Sequence, residues 1–388
     1  MDKLLQDRLQ DLSDLDLAIL VSLISGQHCI FYSVPNLTKD VRDELHLSCS
    51  ETFGLQTAVV DCSKPTVDEF SEAILVANDD DFGAVPEYRG SARSLGLPAS
   101  LPSSLPHMPA RVGSGINTLD DRRIADVVIA THLDLAGPSV QAQALELIRT
   151  KRIFTRTAMH TASKDFLFVV VASKPDTRLS HHLNDMFGMS YFHEEEDGFP
   201  HVEGTMEKYA TPVFTRDEIK DLHSQADEAR LTAEVDVYLH NVAVFMRQSR
   251  YVKGGITATA TRHLRAVAKA LAPLHGLDYV PPALVTLAVR KVYPHRLILA
   301  TADTERTLQW GSNPVAVREM LRGVTVEDVL EDVIGSVDVP LTFTTSVRLW
   351  VWTGEETVYD TAKQGQQYCQ TNTAIANRRR EELFLVEA

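Results

Sequence analysis

The sequence predicts an α/β fold: a parallel-sheet core, an all-α domain after it, and a small mixed C-terminal extension. Three observations predict it. Within the first 210 residues, short β-leaning apolar runs alternate with helical patterns, the order that builds a parallel sheet. From 215, for about 80 residues, no such run occurs and helix patterns follow one another, as in a helical domain. After 301, helical and β-rich stretches mix. The expected organisation is a core over 1–210, a helical domain over 211–300 and an extension over 301–388.

Each element follows from local pattern. "LSDLDLAILVSLIS" (12–25) opens with a serine cap signal and continues with apolar residues at helical spacing. "HCIFYSV" (28–34) is a buried strand. "TKDVRDELHLSCSETFG" (38–54) is an amphipathic helix stopped by Gly54, and "QTAVVDCS" (56–63) is a second buried strand. "GSARSLGLPASLPSSLPHMPARVGSG" (90–115) is rich in Pro, Ser and Gly and places a flexible insertion at about 85–118. "IADVVIATHLD" (124–134) and "KDFLFVVVASKPD" (164–176) are core strands. Between them lies a helix over 137–153, with Pro138 at its start. "LSHHLNDMFGMSYF" (179–192) reads as a short helix leading into a strand, and "HEEEDG" (193–198) as an exposed acidic turn. Four helix candidates fill 215–297. The extension carries a helix at "NPVAVREMLR" (313–322), a β-rich stretch over 340–354 and a polar helical end.

Composition narrows the function. Of 388 residues, 53 are Asp or Glu and 38 Lys or Arg, a net charge of −15. That balance argues against general nucleic-acid binding, which needs cations against phosphates. The four cysteines, Cys29, Cys49, Cys62 and Cys369, form no C-x-x-C, so free thiols in a reducing compartment are expected. The polar, acidic start "MDKLLQDRLQDLSDLD" has no leader character, and "LAILVSLISG" is too short to span a membrane. An intracellular, soluble and most simply cytoplasmic protein is expected, without membrane partners.

The order of the pieces resembles the AAA+ ATPases, in the branch of the MoxR proteins and the magnesium chelatase ATPase subunit. "QHCIFYSVPNLTKD" (27–40) lines up with that branch's phosphate loop. "DVVIATHLDLAGPSVQAQALELIRTK" (126–151) follows its acidic strand, "FLFVVVASKP" (166–175) its sensor strand, and "LSHHLNDMF" (179–187) its "LPEAQLDRF". "GGITATATRHLRAVAKALAPLHGLDYVPPALVTLAVRKVYPHRL" (254–297) is similar to the family's helical lid, including its "DYV…P" and "HRL" marks. The resemblance covers about 12–300, is weakest over 65–120, and extends to fungal proteins labelled magnesium chelatase-like. It implies a P-loop NTPase fold, ATP with Mg²⁺ as cofactor, and ring assembly.

The residues at the implied sites have changed. Phosphate loops use glycines to curl amides around phosphates, a lysine to reach them and a hydroxyl to hold Mg²⁺. In the segment Ser33, Val34, Pro35, Asn36 the glycine positions are Ser33 and Asn36, and Thr38 stands at a third. Lys39 is retained, while Asp40 replaces the hydroxyl and sets a negative charge where phosphate would bind. The Asp-Glu of the acidic strand, which would hold Mg²⁺ and orient water, is Thr131 and His132, with Asp134 two residues on. The sensor asparagine is Lys174, which cannot accept the hydrogen bond that orients water. Met186 takes the place of the arginine in "DRF", and Thr259 that of the lid arginine, with Arg262 one turn further.

Losing metal ligand, acid, sensor and arginines together points to a fold kept while its chemistry has gone. Two functions stay open: a pseudo-ATPase binding or assembly module with protein partners or self-association, and a divergent working ATPase using Lys39 with Asp40, Asp134 or Arg262 in altered roles. A plain structural role is the third. His181, His182 and His193 beside "EEED" lack a recognised metal-ligand spacing, so no metal is expected. "GSGIN" (113–117) has no strand before it, and "RLWVWTG" (348–354) is expected to pack the extension's core or offer a partner-binding edge.

Overall fold

The computed structural model describes residues 3–77, 122–156, 158–173, 179–204, 212–340, 347–350 and 356–359. The 85–118 insertion, "GSGIN", Lys174, Trp352, Cys369 and the polar end of the chain lie outside them.

The elements run in chain order. Helices α1 (Lys3–Gln10) and α2 (Asp14–Ser25) precede strand β1 (His28–Ser33). Then come α3 (Thr38–Leu47), continued by a π-helical turn (Ser48–Thr52), β2 (Thr57–Asp61), α4 (Val67–Ala73) and β3 (Leu75–Val76). After 122 follow β4 (Arg123–Ile124), β5 (Val127–Thr131), α5 (Pro138–Thr150), β6 (Arg152–Phe154), β7 (Met159–Thr161) and β8 (Leu167–Ala172). Next are α6 (His181–Asn184), β9 (Phe187–His193) and a 3₁₀ turn (Glu195–Asp197). The helical domain comprises α7 (Arg216–Glu228), α8 (Ala233–Gln248), β10 (Val252–Gly254), α9 (Ala258–Leu274), α10 (Pro282–Val292) and β11 (Ile298–Leu299). A 3₁₀ turn (Arg306–Trp310), α11 (Pro314–Leu321), α12 (Val326–Ser336) and the ribbon β12 (Val347–Trp350) with β13 (Glu356–Tyr359) complete the chain.

Five strands form one parallel sheet in the order β2-β5-β8-β1-β9. β1, β5 and β8 are buried along their whole length, which is why they read as unbroken apolar runs rather than as alternation. Their side chains divide between two cores. Cys29, Phe31, Ile129, Val169 and Met189 face α2, α3 and the helical domain. Ile30, Tyr32, Val128, Phe168 and Val170 face α4, α5 and α6.

Caps set the helix starts. Ser13 with Asp16, Thr66 with Glu69, Thr215 with Glu218 and Thr325 with Asp328 each form a reciprocal capping box. Gly26 closes α2 in the left-handed conformation, at φ 61°. The first helix of the extension is where the pattern predicts it. α12 was not anticipated: Val329, Leu330 and Val333 are buried against the same core as α8 and α10, so the extension begins as part of the helical domain's packing. The β6–β7 hairpin was likewise absent from the sequence reading.

A buried polar network ties the segment after β9 to the core. His201 Nε2 lies 3.1 Å from Asp16 Oδ1. Ser48 donates to the same carboxylate, and Glu44 accepts the amides of His201 and Val202 at 2.9 and 2.8 Å. Burial works against the charge on Asp16, but the His201, Ser48 and Ser13 hydrogen bonds outweigh it and hold its pKa below the usual value. For His201 burial again opposes charge, and its bond to Asp16 prevails, raising its pKa.

Candidate functional site

In open parallel sheets, ligands sit beyond the carboxyl ends of the strands. That edge here carries the β1–α3 loop, Asp61 at the end of β2, and Thr131 and His132 at the end of β5.

The loop closes on itself. The Leu37 amide donates to the Val34 carbonyl at 3.0 Å, and the Val41 amide returns to Leu37 at 2.9 Å. Pro35 has no amide proton. Ser33 and Thr38 are buried, with their hydroxyls 3.5 Å apart, and Thr38 also donates to the Pro35 carbonyl at 3.3 Å. The Leu37 amide and the Ser33 and Thr38 hydroxyls are thus taken up within the loop. Val34, Pro35, Asn36 and Lys39 are exposed, and Lys39 makes no ion pair or side-chain hydrogen bond among the described residues. Asp40 lies in the first turn of α3, against the positive end of the helix dipole.

At the end of β5, Thr131 is buried and donates to the Val60 carbonyl at 3.4 Å. His132 turns the chain in the left-handed region at φ 54°. Its Nδ1 lies 3.3 Å from Asp61 Oδ1. Slight burial pushes the Asp61 pKa up, but hydrogen bonds from Ser63 and His132 carry it below its ordinary value. Asp134 follows in the turn closed by Leu135 and Ala136 amides. One of its carboxylate oxygens is buried without a protein partner among the described residues.

Met186, Thr259 and Arg262 lie elsewhere. Met186 immediately precedes β9, whose first residue, Phe187, is paired with His28 at the start of β1. From His28 to Ser33 the strand advances about 16 Å. Thr257, the cap of α9, donates to Asp185 at 2.6 Å, so the beginning of α9 sits at the amino edge of the sheet. The expected residues therefore form two groups at opposite edges. One ligand within a single chain cannot touch both the loop and Arg262. The histidines also separate: His181 and His182 are exposed on α6 beside the amino edge, whereas His193 is buried at the far end of β9.

The junction at the amino edge is held by a residue that sequence reasoning noticed only as part of "HRL". Arg296, 2% exposed, pairs with the Asp185 carboxylate. It also donates to the Asp185 and Phe187 carbonyls and to His263 Nδ1. Burial drives the His263 pKa down to about 4, with the Arg296 charge adding to the effect. The ring is therefore neutral and can accept that bond. His295 Nε2 lies 3.0 Å from the Phe187 carbonyl, and Asn184 donates to the His295 carbonyl at 3.1 Å.

Beside this junction is a cleft of ≈ 720 Å³ between α5, α6 and the start of α9. Its polar lining includes Gln27, Arg149, His182, Asp185, Thr259 and Arg262, and Leu145, Met186 and Ala266 make an apolar part. Arg149 gave no sequence signal, being one more cation in a helix's last turn.

Residues 244–313 match the family model of the AAA lid domain. No curated protein matches the chain. The crystal structure of a candidate ATPase from Cytophaga hutchinsonii is similar, at 12% identity and a TM-score of 0.57, with 87% of this chain and 94% of that one covered. A full-length MCM homologue from Methanopyrus kandleri aligns at 12% identity and a TM-score of 0.40 over 70% of this chain and 52% of its own. The chain thus has a parallel-sheet α/β core followed by a helical domain that matches the AAA lid, a fold similar to that of the Cytophaga structure. No helix among the described residues is long and apolar enough to cross a membrane.

Proposed function

We propose that this AAA+ type module is of the MoxR/magnesium chelatase kind and is a pseudo-ATPase that serves as a binding or assembly protein. One observation carries the reading. The β1–α3 segment lacks the loop's glycines and folds as a turn in which the Leu37 amide is spent on Val34 and the Ser33 and Thr38 hydroxyls point inward. Those three groups are not available to a phosphate, and the charge of Asp40 would oppose one at the helix start. Thr131 and His132, at the end of β5 with β8 between it and β1, offer no carboxylate for Mg²⁺, and the arginine nearest the family's lid position is at the other edge. Protein partners or further copies of the chain then replace nucleotide turnover as the working chemistry.

The test is isothermal titration of the full chain with ATP–Mg²⁺, alongside Lys39→Ala. The reading expects no Lys39-dependent heat at millimolar nucleotide. Micromolar binding that Lys39→Ala abolishes would sink it.

A second reading, a divergent ATPase with remodelling or magnesium chelatase-like activity, draws on the buried, unpartnered oxygen of Asp134 near the loop edge. It requires turnover that both Lys39→Ala and Asp134→Asn remove.

A further inference from the structure

We propose that the cleft between α5, α6 and α9 binds a small phosphate monoester, its phosphate held by Arg149 and Arg262 and its organic body lying over Leu145, Met186 and Ala266. This site is at the amino edge of the sheet and does not depend on whether the β1–α3 loop holds nucleotide.

The charge arrangement is the first reason. The chain carries 53 acidic against 38 basic side chains, so a surface arginine has carboxylates in excess to choose from. Arg149 and Arg262 nevertheless line one cleft with no carboxylate paired to either among the described residues. Among the described residues, Arg262 hydrogen-bonds only to the Thr259 hydroxyl, at 3.2 Å. The cleft's own acid, Asp185, is already engaged by Arg296 and Thr257. The first turn of α9 borders the cleft through Thr259 and contains no acidic residue, so the helix dipole adds positive potential there. Two guanidinium groups facing one cleft repel each other unless an anion lies between them, and guanidinium geometry suits phosphate oxygens.

The rest of the lining completes the ligand's description. A volume of ≈ 720 Å³ is in the range that holds small molecules, about 300–1,000 Å³. The Thr259 hydroxyl, Gln27 amide and His182 ring supply polar contacts, whereas Leu145, Met186 and Ala266 suit an apolar or flat group. Neutral His263 belongs to the Arg296 junction and brings no charge.

The experiment is titration of the full chain with phenyl phosphate at fixed ionic strength, with inorganic phosphate run in parallel. Wild type should bind phenyl phosphate more tightly than phosphate. Arg149→Ala and Arg262→Ala should each weaken binding about tenfold or more, and Lys39→Ala should leave it unchanged. Both arginines are exposed, and circular dichroism would verify that the variants fold. The proposal falls if wild type gives no heat at millimolar phenyl phosphate, if either arginine is dispensable, or if phosphate binds equally well. Loss of binding in Lys39→Ala would overturn it too, by placing the anion at the loop.

Discussion

Replacing Arg296 by methionine should loosen the helical domain from the sheet. The guanidinium is buried at the start of β9, where it serves the Asp185 carboxylate, two main-chain carbonyls and His263. Methionine fills much of the volume but leaves the Asp185 carboxylate, among the described residues, with the Thr257 hydroxyl alone and strips both carbonyls of this donor. Removing one partner of a buried ion pair costs about 3–5 kcal/mol. The Arg296 Nε has no partner among the described residues, so the native arrangement is imperfect and the lower figure, about 3 kcal/mol, is expected. At about 2 °C per kcal/mol for a large domain, Tm falls about 6 °C. Lysine at 296 can meet the carboxylate but cannot reach every acceptor from one ammonium, so it should fall between. Thermal unfolding followed by circular dichroism reads all three proteins. A methionine variant within 1 °C of wild type would refute the view that this residue joins lid to core. So would helical-domain melting far below an unchanged core transition already in wild type.

Three further outcomes can be checked on the same material. Gly255 sits at φ 110°, and a Cβ there would lie 1.9 Å from the Arg296 carbonyl oxygen, whereas a Cβ at Gly254 meets nothing within 4 Å; Gly255→Ala should therefore abolish or severely lower stability while Gly254→Ala changes it little, with equal Tm values contradicting the lid geometry. The His201–Asp16 pair should give a pH-dependent stability. The raised pKa of His201 contributes fully below its ordinary 6.5 and is lost as pH rises through the folded value, while the lowered pKa of Asp16 contributes above 3.8 and is lost as pH falls. Glu44, its carboxyl raised by burial, and Glu51 also face this pair. His201→Gln should thus cost more in urea denaturation at pH 6 than at pH 8.5, and a cost independent of pH would refute the charged pair. Burial pushes the Cys29 and Cys62 thiols up to about 12 and raises Cys49 as well, so all three should resist a thiol reagent until the protein unfolds, as mass mapping of labelled peptides would reveal.

What could be read from the sequence depended on whether the deciding interaction was local. β1, β5 and β8 were legible because a strand buried on both faces must be apolar at every position, and α2 and α7 because Ser13 and Thr215 announce their starts. α12 had the same kind of signal, Thr325 with Asp328 ahead of Val329, Leu330 and Val333, but it lay beyond the expected edge of the helical domain. The β6–β7 hairpin is three residues a side, too short for alternation to stand out. Arg296 is a harder case. A charged residue in "PHRL" reads as surface until the chain brings Asp185 and the Phe187 carbonyl to it from 111 and 109 residues away.

The same reasoning explains why the candidate sites divided. A linear motif order places Lys39, His132, Met186 and Arg262 in one list, yet only the folded register decides which edge of the sheet each one reaches. Ser33 and Phe187 belong to adjacent parallel strands, but they are paired with His193 and His28 respectively, at opposite ends. A residue next to Phe187 is therefore remote from the loop, however near the two strands lie. Arg262 follows Met186 to the amino edge because Thr257, at the cap of its helix, is tied to Asp185. An arginine placed there can serve the loop only of another copy of the chain, or else an anion in the cleft of its own. The Lys39 and Arg262 variants separate these cases: dependence on both residues requires an intermolecular site, whereas dependence on Arg262 and Arg149 alone belongs to the cleft.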